Sequence, residues 1–162
     1  MQRKYSATAF SQTSFLRTGD VIRAYVDSSF VVSLYLPDVH SPDARGRVQG
    51  APPLLLTPLH RAEWAHALGQ HQFRRTVTAE KAQQAYAKFV SDEMAGLWGD
   101  VPMPENALEL CADLARRYGP KFGMRTLDTL HVACALELKA ERFWTFDDRQ
   151  AKLAKAQGMK VL

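Results

Sequence analysis

The sequence predicts an α/β fold, a three-layer α/β/α sandwich built on a mostly parallel central sheet. Three observations predict it. Short apolar runs (Val21–Val26, Leu54–Thr57, Phe143–Phe146) alternate with stretches of helical periodicity through most of the chain. These runs are close to continuously apolar, as strands buried on both faces tend to be. Acids stand where several strands hand over to helices, and parallel strands joined by helices bring all such positions to one rim of the sheet.

Taken in order, residues 1–20 are polar, rich in Ser and Thr, and without periodicity. They predict a disordered extension, or an over-extended gene start with Val21 near the true beginning. The folded domain is expected over 21–162. Val21–Val26 is the first strand, ending at Asp27-Ser28-Ser29; Ser28 or Ser29 suits an N-cap for the apolar helix through Leu36. A short helix is expected over Ser41–Gln49, with Ser41 as cap and Pro42 at its first position. Leu54–Thr57 is the second strand, and Pro58 opens a helix through Leu68. Gly69 to Thr76 reads as a connection. The next helix runs from Thr78 to Met94, with Ala82, Ala85, Tyr86, Phe89 and Val90 on one stripe.

Leu97–Pro102 is a short, interrupted strand. Pro104 starts a helix through Tyr118, with Ala107, Leu108, Cys111, Leu114 and Ala115 inward, and Gly119-Pro120 ends it. Thr126 begins a helix with Leu127, Leu130, Ala133, Cys134 and Leu138 on its apolar face. A strand through Phe143 and Trp144 follows, then a helix over Arg149–Gln157. Gly158 is the helix stop, and Met159–Leu162 the last strand.

The chain of 162 residues is long enough to bury a core without staples. Cys111 and Cys134 lie far apart in apolar helical patterns, which fits buried thiols in a reducing, cytoplasmic compartment. No apolar run approaches the roughly 20 residues of a membrane span, and the N-terminus has no secretory h-region. A net charge of +4 permits a polyanionic partner without demanding one.

Four acids fall on the expected rim: Asp27, Glu63, Asp128 and Asp147. Any one of them has an ordinary explanation as a helix cap or a first-turn acid. As a set they would repel one another without a countercharge. A divalent cation relieves that repulsion, and an all-oxygen site suits Mg²⁺ or Mn²⁺ better than zinc. Trp64, Trp98 and Trp144 fit core positions. His60 and His66 fit surface or packing roles, and His131, one turn beyond Asp128, fits an imidazole packed beneath the site. Arg74, Arg75, Arg116, Arg117, Lys121 and Arg125 offer a phosphate-binding margin, with Arg125 nearest to Asp128.

Tyr25-Val26-Asp27-Ser28-Ser29, Leu59-His60-Arg61-Ala62-Glu63, Leu127-Asp128-Thr129-Leu130-His131-Val132-Ala133 and Thr145-Phe146-Asp147, in this order and spacing, resemble a PIN-domain ribonuclease. Within that family the likeness is to the VapC toxins of toxin–antitoxin pairs. It spans Ile22 to Leu162. The resemblance implies an endoribonuclease that uses Mg²⁺ or Mn²⁺, with Asp27, Glu63, Asp128 and Asp147 as catalytic and metal-binding acids. It implies Ser29 and Thr145 as hydroxyls that orient carboxylates. Asp147, two residues after Thr145, matches the family's fourth acid better than Asp148. A small cognate antitoxin, a homodimer and an RNA substrate are also implied; the helices over Thr78–Met94 and Ser41–Gln49 are possible contact surfaces.

Two other readings stay open. A haloacid-dehalogenase-type phosphohydrolase would use Asp27 as nucleophile, although Ser29 stands where a second Asp is usual. A non-catalytic PIN-like module would bind RNA or protein without cutting.

Overall fold

A computed structural model describes residues 23–162. Residues 1–20, expected to be an extension, and Val21 and Ile22, expected to begin the first strand, lie outside them. The described part of that strand is β1 (Ala24–Val26). It is followed by α1 (Ser28–Tyr35), α2 (Ser41–Val48), β2 (Leu54–Leu56), α3 (Pro58–Phe73), α4 (Ala79–Met94) and β3 (Trp98–Asp100). Then come α5 (Ala107–Phe122), α6 (Thr126–Glu137), β4 (Arg142–Trp144), α7 (Asp148–Ala156) and β5 (Lys160–Val161).

The five strands form one sheet in the order β3-β2-β1-β4-β5, and every pairing is parallel. β1 is therefore the middle strand, with Tyr25 opposite Leu55 on one side and Phe143 on the other. Alternation along the strands divides the core. Ala24, Val26, Leu54, Leu56 and Trp144 face a cluster with Phe30, Trp64, Ala82 and Phe89 from α1, α3 and α4. Tyr25 and Phe143 face the opposite cluster, with Leu114, Ala133 and Leu153 from α5, α6 and α7. The three-layer α/β/α sandwich expected from the sequence is the observed architecture.

Several boundaries differ from expectation for local reasons. The cap of α1 is Asp27, not Ser28 or Ser29, because its carboxylate takes the Phe30 N–H. Ser41 is the first residue of α2 and not its cap: its hydroxyl donates to the Leu36 carbonyl and accepts from the Asp38 N–H. α3 runs through Gly69 to Phe73, since Gly69 stands in open space and costs the helix only its propensity. α5 continues through Gly119 and Pro120 to Phe122, and its cap Gly123 takes the left-handed conformation at φ 62°. Pro120 is exposed in the last two turns, where the carbonyl one turn earlier that loses its N–H partner lies at the helix surface. Tyr86, Val90, Leu108, Ala115 and Leu127, expected inward, are exposed. No helix among the described residues is long and apolar enough to cross a membrane.

Phe143 is fully buried and stacks on Tyr25, with ring centroids 5.8 Å apart and planes 8° from parallel. Phe143→Ala is expected to destabilise the fold by about 3–5 kcal/mol, measured by urea unfolding. A loss under about 1 kcal/mol would mean that this layer is not packed as described.

Candidate functional site

Asp27 follows β1 directly and is completely buried. Its Oδ1 accepts from Ser29 Oγ (2.7 Å) and Phe30 N (3.0 Å), and its Oδ2 accepts from Thr145 Oγ1 (2.8 Å) and Gln150 Nε2 (2.9 Å). Two of these donors are themselves held. Ser29 Oγ accepts from Phe146 N (3.0 Å), and Thr145 Oγ1 accepts from Asp147 N (2.9 Å). The Asp27 N–H completes the lock by donating to the Trp144 carbonyl (3.1 Å). One carboxylate thus ties the β1–α1 turn to the β4–α7 turn. Burial raises the Asp27 pKa; His131 and the Ser29 and Thr145 hydroxyls offset part of that rise.

Glu63, in the second turn of α3, is half-buried. Its Oε2 is gripped by Ser28 Oγ and His131 Nε2. His131 is itself buried, and its Nδ1 lies 2.9 Å from the Tyr25 hydroxyl. The Tyr25 hydroxyl and the Glu63 carboxylate thus hold the two ring nitrogens of His131 from either side. Burial also raises the Tyr25 pKa, which keeps the phenol protonated as a donor. Burial alone would raise the Glu63 pKa too, but the hydrogen bond and charge of His131, with the Ser28 hydroxyl, bring it below the usual value. His60 is buried between these parts and bonded within the fold. Its Nε2 donates to the Val26 carbonyl (2.7 Å) and its Nδ1 accepts from Thr57 N (3.0 Å). Burial holds its pKa down at about 3, so it stays neutral.

Asp128 lies in the first turn of α6, and its Oδ2 accepts from the Arg125 N–H (3.3 Å). Burial raises its pKa, and the charge of Asp147 raises it further against the pull of Arg149 and Arg125. Asp147 caps α7, accepting from the N–H groups of Arg149 (2.8 Å) and Gln150 (3.0 Å), with the Arg149 guanidinium 3.7 Å from its Oδ2. Asp148 is exposed and one residue inside the helix. Arg125, the expected phosphate contact, is exposed at the start of α6.

The four acids therefore ring one end of the sheet. Among the described residues, however, no three His, Cys, Asp or Glu side chains converge closely enough to hold a metal ion. The donor chemistry nonetheless fits a hard cation. Asp27 and Asp128 both have raised pKa values. Gln150 Oε1, on the side chain that donates to Asp27, is buried with no hydrogen-bond partner among the described residues. An oxygen acceptor lacking a counterpart, as Gln150 Oε1 is, suits a hard cation such as Mg²⁺ or Mn²⁺.

Sequence reasoning missed Gln150, Tyr25 and Arg149, and it treated Ser28 only as a cap. It placed His131 beneath the site but missed its grip on Glu63. A usable signal existed for Gln150 alone: three residues after Asp147, it is the first-turn residue that faces back to the rim.

The chain matches the family model described as PIN domain over residues 24–156. No curated protein sequence matches it. Three solved structures share the fold at low identity. VapC20 of Mycobacterium tuberculosis, a Sarcin-Ricin loop cleaving toxin, aligns at 14% identity over 80% of this chain and 93% of its own, with a TM-score of 0.59. VapBC2 from Rickettsia felis, bound to a DNA fragment from its promoter, aligns at 12% identity over 86% and 96%, with a TM-score of 0.60. FitAcB from Neisseria gonorrhoeae aligns at 14% identity over 86% and 96%, with a TM-score of 0.61.

Asp27 has a folded-state pKa above its ordinary value. Its contribution to stability is thus fully present below about pH 4 and is lost as pH rises through the folded-state pKa. Asp27→Asn removes that titration. In metal-free buffer the variant is expected to gain stability relative to wild type between about pH 4 and about pH 8. Urea unfolding at both pH values checks this, and a variant that loses ground with rising pH would contradict the raised pKa.

Proposed function

The chain belongs to the PIN domain family, and on that premise we propose that it is a metal-dependent endoribonuclease, the toxin of a toxin–antitoxin pair. The observation that supports this reading is the rim itself: Asp27 and Asp128 with raised pKa values and Asp147 close enough to Asp128 to raise it.

Asp27, Asp128 and Asp147 would hold the cation, with Glu63 binding it or a water beside it. When bound, Mg²⁺ or Mn²⁺ supplies Lewis acidity that activates water and stabilises charge on the leaving oxygen of a phosphodiester. Ser29, Thr145 and Gln150 keep the Asp27 carboxylate in one orientation. Glu63 is fixed through Oε2 by Ser28 and His131, which leaves Oε1 to orient the attacking water. Arg125 and Arg149 stand near Asp128 and Asp147, which supports them as contacts for a substrate phosphate. No side-chain nucleophile is needed. A phosphohydrolase reading would need Asp27 to attack with a second Asp two residues later, where Ser29 stands.

The partners of this reading are RNA, a cognate antitoxin that covers the acidic groove, and a second copy of the chain. Tyr86, Val90 and Met94 support α4 as a contact surface, because they lie exposed along it at four-residue spacing. A cytoplasmic location accords with an RNA substrate.

Purified protein is expected to cleave a mixed RNA pool with Mg²⁺ or Mn²⁺ and to stop in EDTA. Asp128→Asn should slow cleavage on the order of 100-fold or more, and Thr145→Val roughly 10- to 100-fold. Full activity in Asp128→Asn, or turnover of a phosphomonoester with RNA untouched, would overturn the assignment.

A further inference from the structure

Beside the acids lies a cleft of about 360 Å³, with Ser29, Ser33, Asp38, His40, Phe146 and Asp147 in its lining. Its aromatic wall is ordered. Phe30 is fully buried and stacks on Phe146, with centroids 5.7 Å apart and planes 11° from parallel. Phe146 is partly buried and stacks on His40 at 4.3 Å and 9°. His40 is exposed. Three nearly parallel rings thus run from the core to the surface and end in an imidazole.

The column is held rigidly. The Arg47 guanidinium, bound to Asp43 by hydrogen bonds of 2.9 and 2.6 Å, lies over the Phe146 ring at 5.7 Å. The His40 backbone N–H is fastened to Asp38 Oδ1 at 2.8 Å, while its ring makes no hydrogen bond among the described residues. Phe146 sits between Thr145, which bonds Asp27, and Asp147. The column is therefore continuous in the chain with the acidic rim.

We infer that His40 is a stacking platform for one unpaired nucleobase next to the bond to be cut. The ligand class rests on the nuclease reading above. An exposed ring in a fixed plane offers a nucleobase its π-face at little ordering cost, and such stacking tolerates every base. Edge recognition is weak here. The Asp38 carboxylate already accepts from Ser33 Oγ and the His40 N–H. The site therefore prefers single-stranded RNA, whose bases are free to leave their own stack, over duplex.

The test uses the full chain and single-stranded RNA carrying 2-aminopurine, whose fluorescence is quenched on stacking. Mixing in Mg²⁺ by stopped flow reads binding before cleavage. His40→Ala is expected to weaken binding roughly five- to tenfold, at the low end of what base stacking supplies, and to lose the quench. His40→Phe should keep both. Since His40 is exposed, neither variant threatens the core. Quenching and affinity unchanged in His40→Ala, or lost equally in His40→Phe, or absent in wild type, would overturn the platform. Cleavage followed in the same samples separates the two claims. RNA cut with quenching indifferent to His40→Ala sinks the platform alone. Quenching that depends on His40 without any cleavage sinks the nuclease reading alone.

Discussion

A carboxylate removed from water is costly unless its lone pairs are met, and it becomes costlier when other acids stand nearby. Asp27 meets that cost with four donors drawn from three places: the start of α1, the end of β4 and the first turn of α7. Much else follows from this one group. Ser29 and Thr145 have their hydroxyls spent on it, and through them the backbone N–H groups of Phe146 and Asp147 are set. Asp147 then caps α7, which aims Gln150 back at Asp27. The loop is closed, so a change at any member is felt at the others.

The middle strand extends the same logic. Three consecutive residues of β1 and its end each anchor a different part of the rim. The Tyr25 hydroxyl meets His131, the Val26 carbonyl takes the His60 proton, and Asp27 holds the β4–α7 turn. His131 relays the fold's rigidity to Glu63, which would otherwise swing free on a half-buried arm. Burial keeps His60 beside it neutral, so it adds no charge to the interior. Burial raises the pKa of both Asp27 and Asp128, and Asp147 raises that of Asp128 further.

How much of this was legible in the sequence depended on how local each feature is. The alternation of strands and helices, and acids at the ends of β1 and β4, are local patterns, and both are found in the fold. Helix ends were misread where the usual stop residues are tolerated: Gly69 in open space, and Gly119-Pro120 at an exposed end. Inward stripes were read too wide, because a helix on a sheet buries a narrower face than its apolar residues span; Leu127 and Tyr86 fall at the edge. The contacts that shape the site were illegible for a different reason. Gln150 to Asp27, Tyr25 to His131 and His131 to Glu63 join residues 123, 106 and 68 positions apart. Periodicity carries no information at that range.

The central claim is that the rim is a cation site organised by Asp27, and it can be tested without any assay of RNA. Titrating Mn²⁺ into purified protein, with the free ion followed by its electron paramagnetic resonance, counts bound metal directly. The account predicts saturable binding in wild type that weakens at least tenfold in Asp27→Asn while the fold stays intact, as losing a ligand or its orienting shell should do. No saturable binding in wild type, or the same binding in the variant, would contradict it.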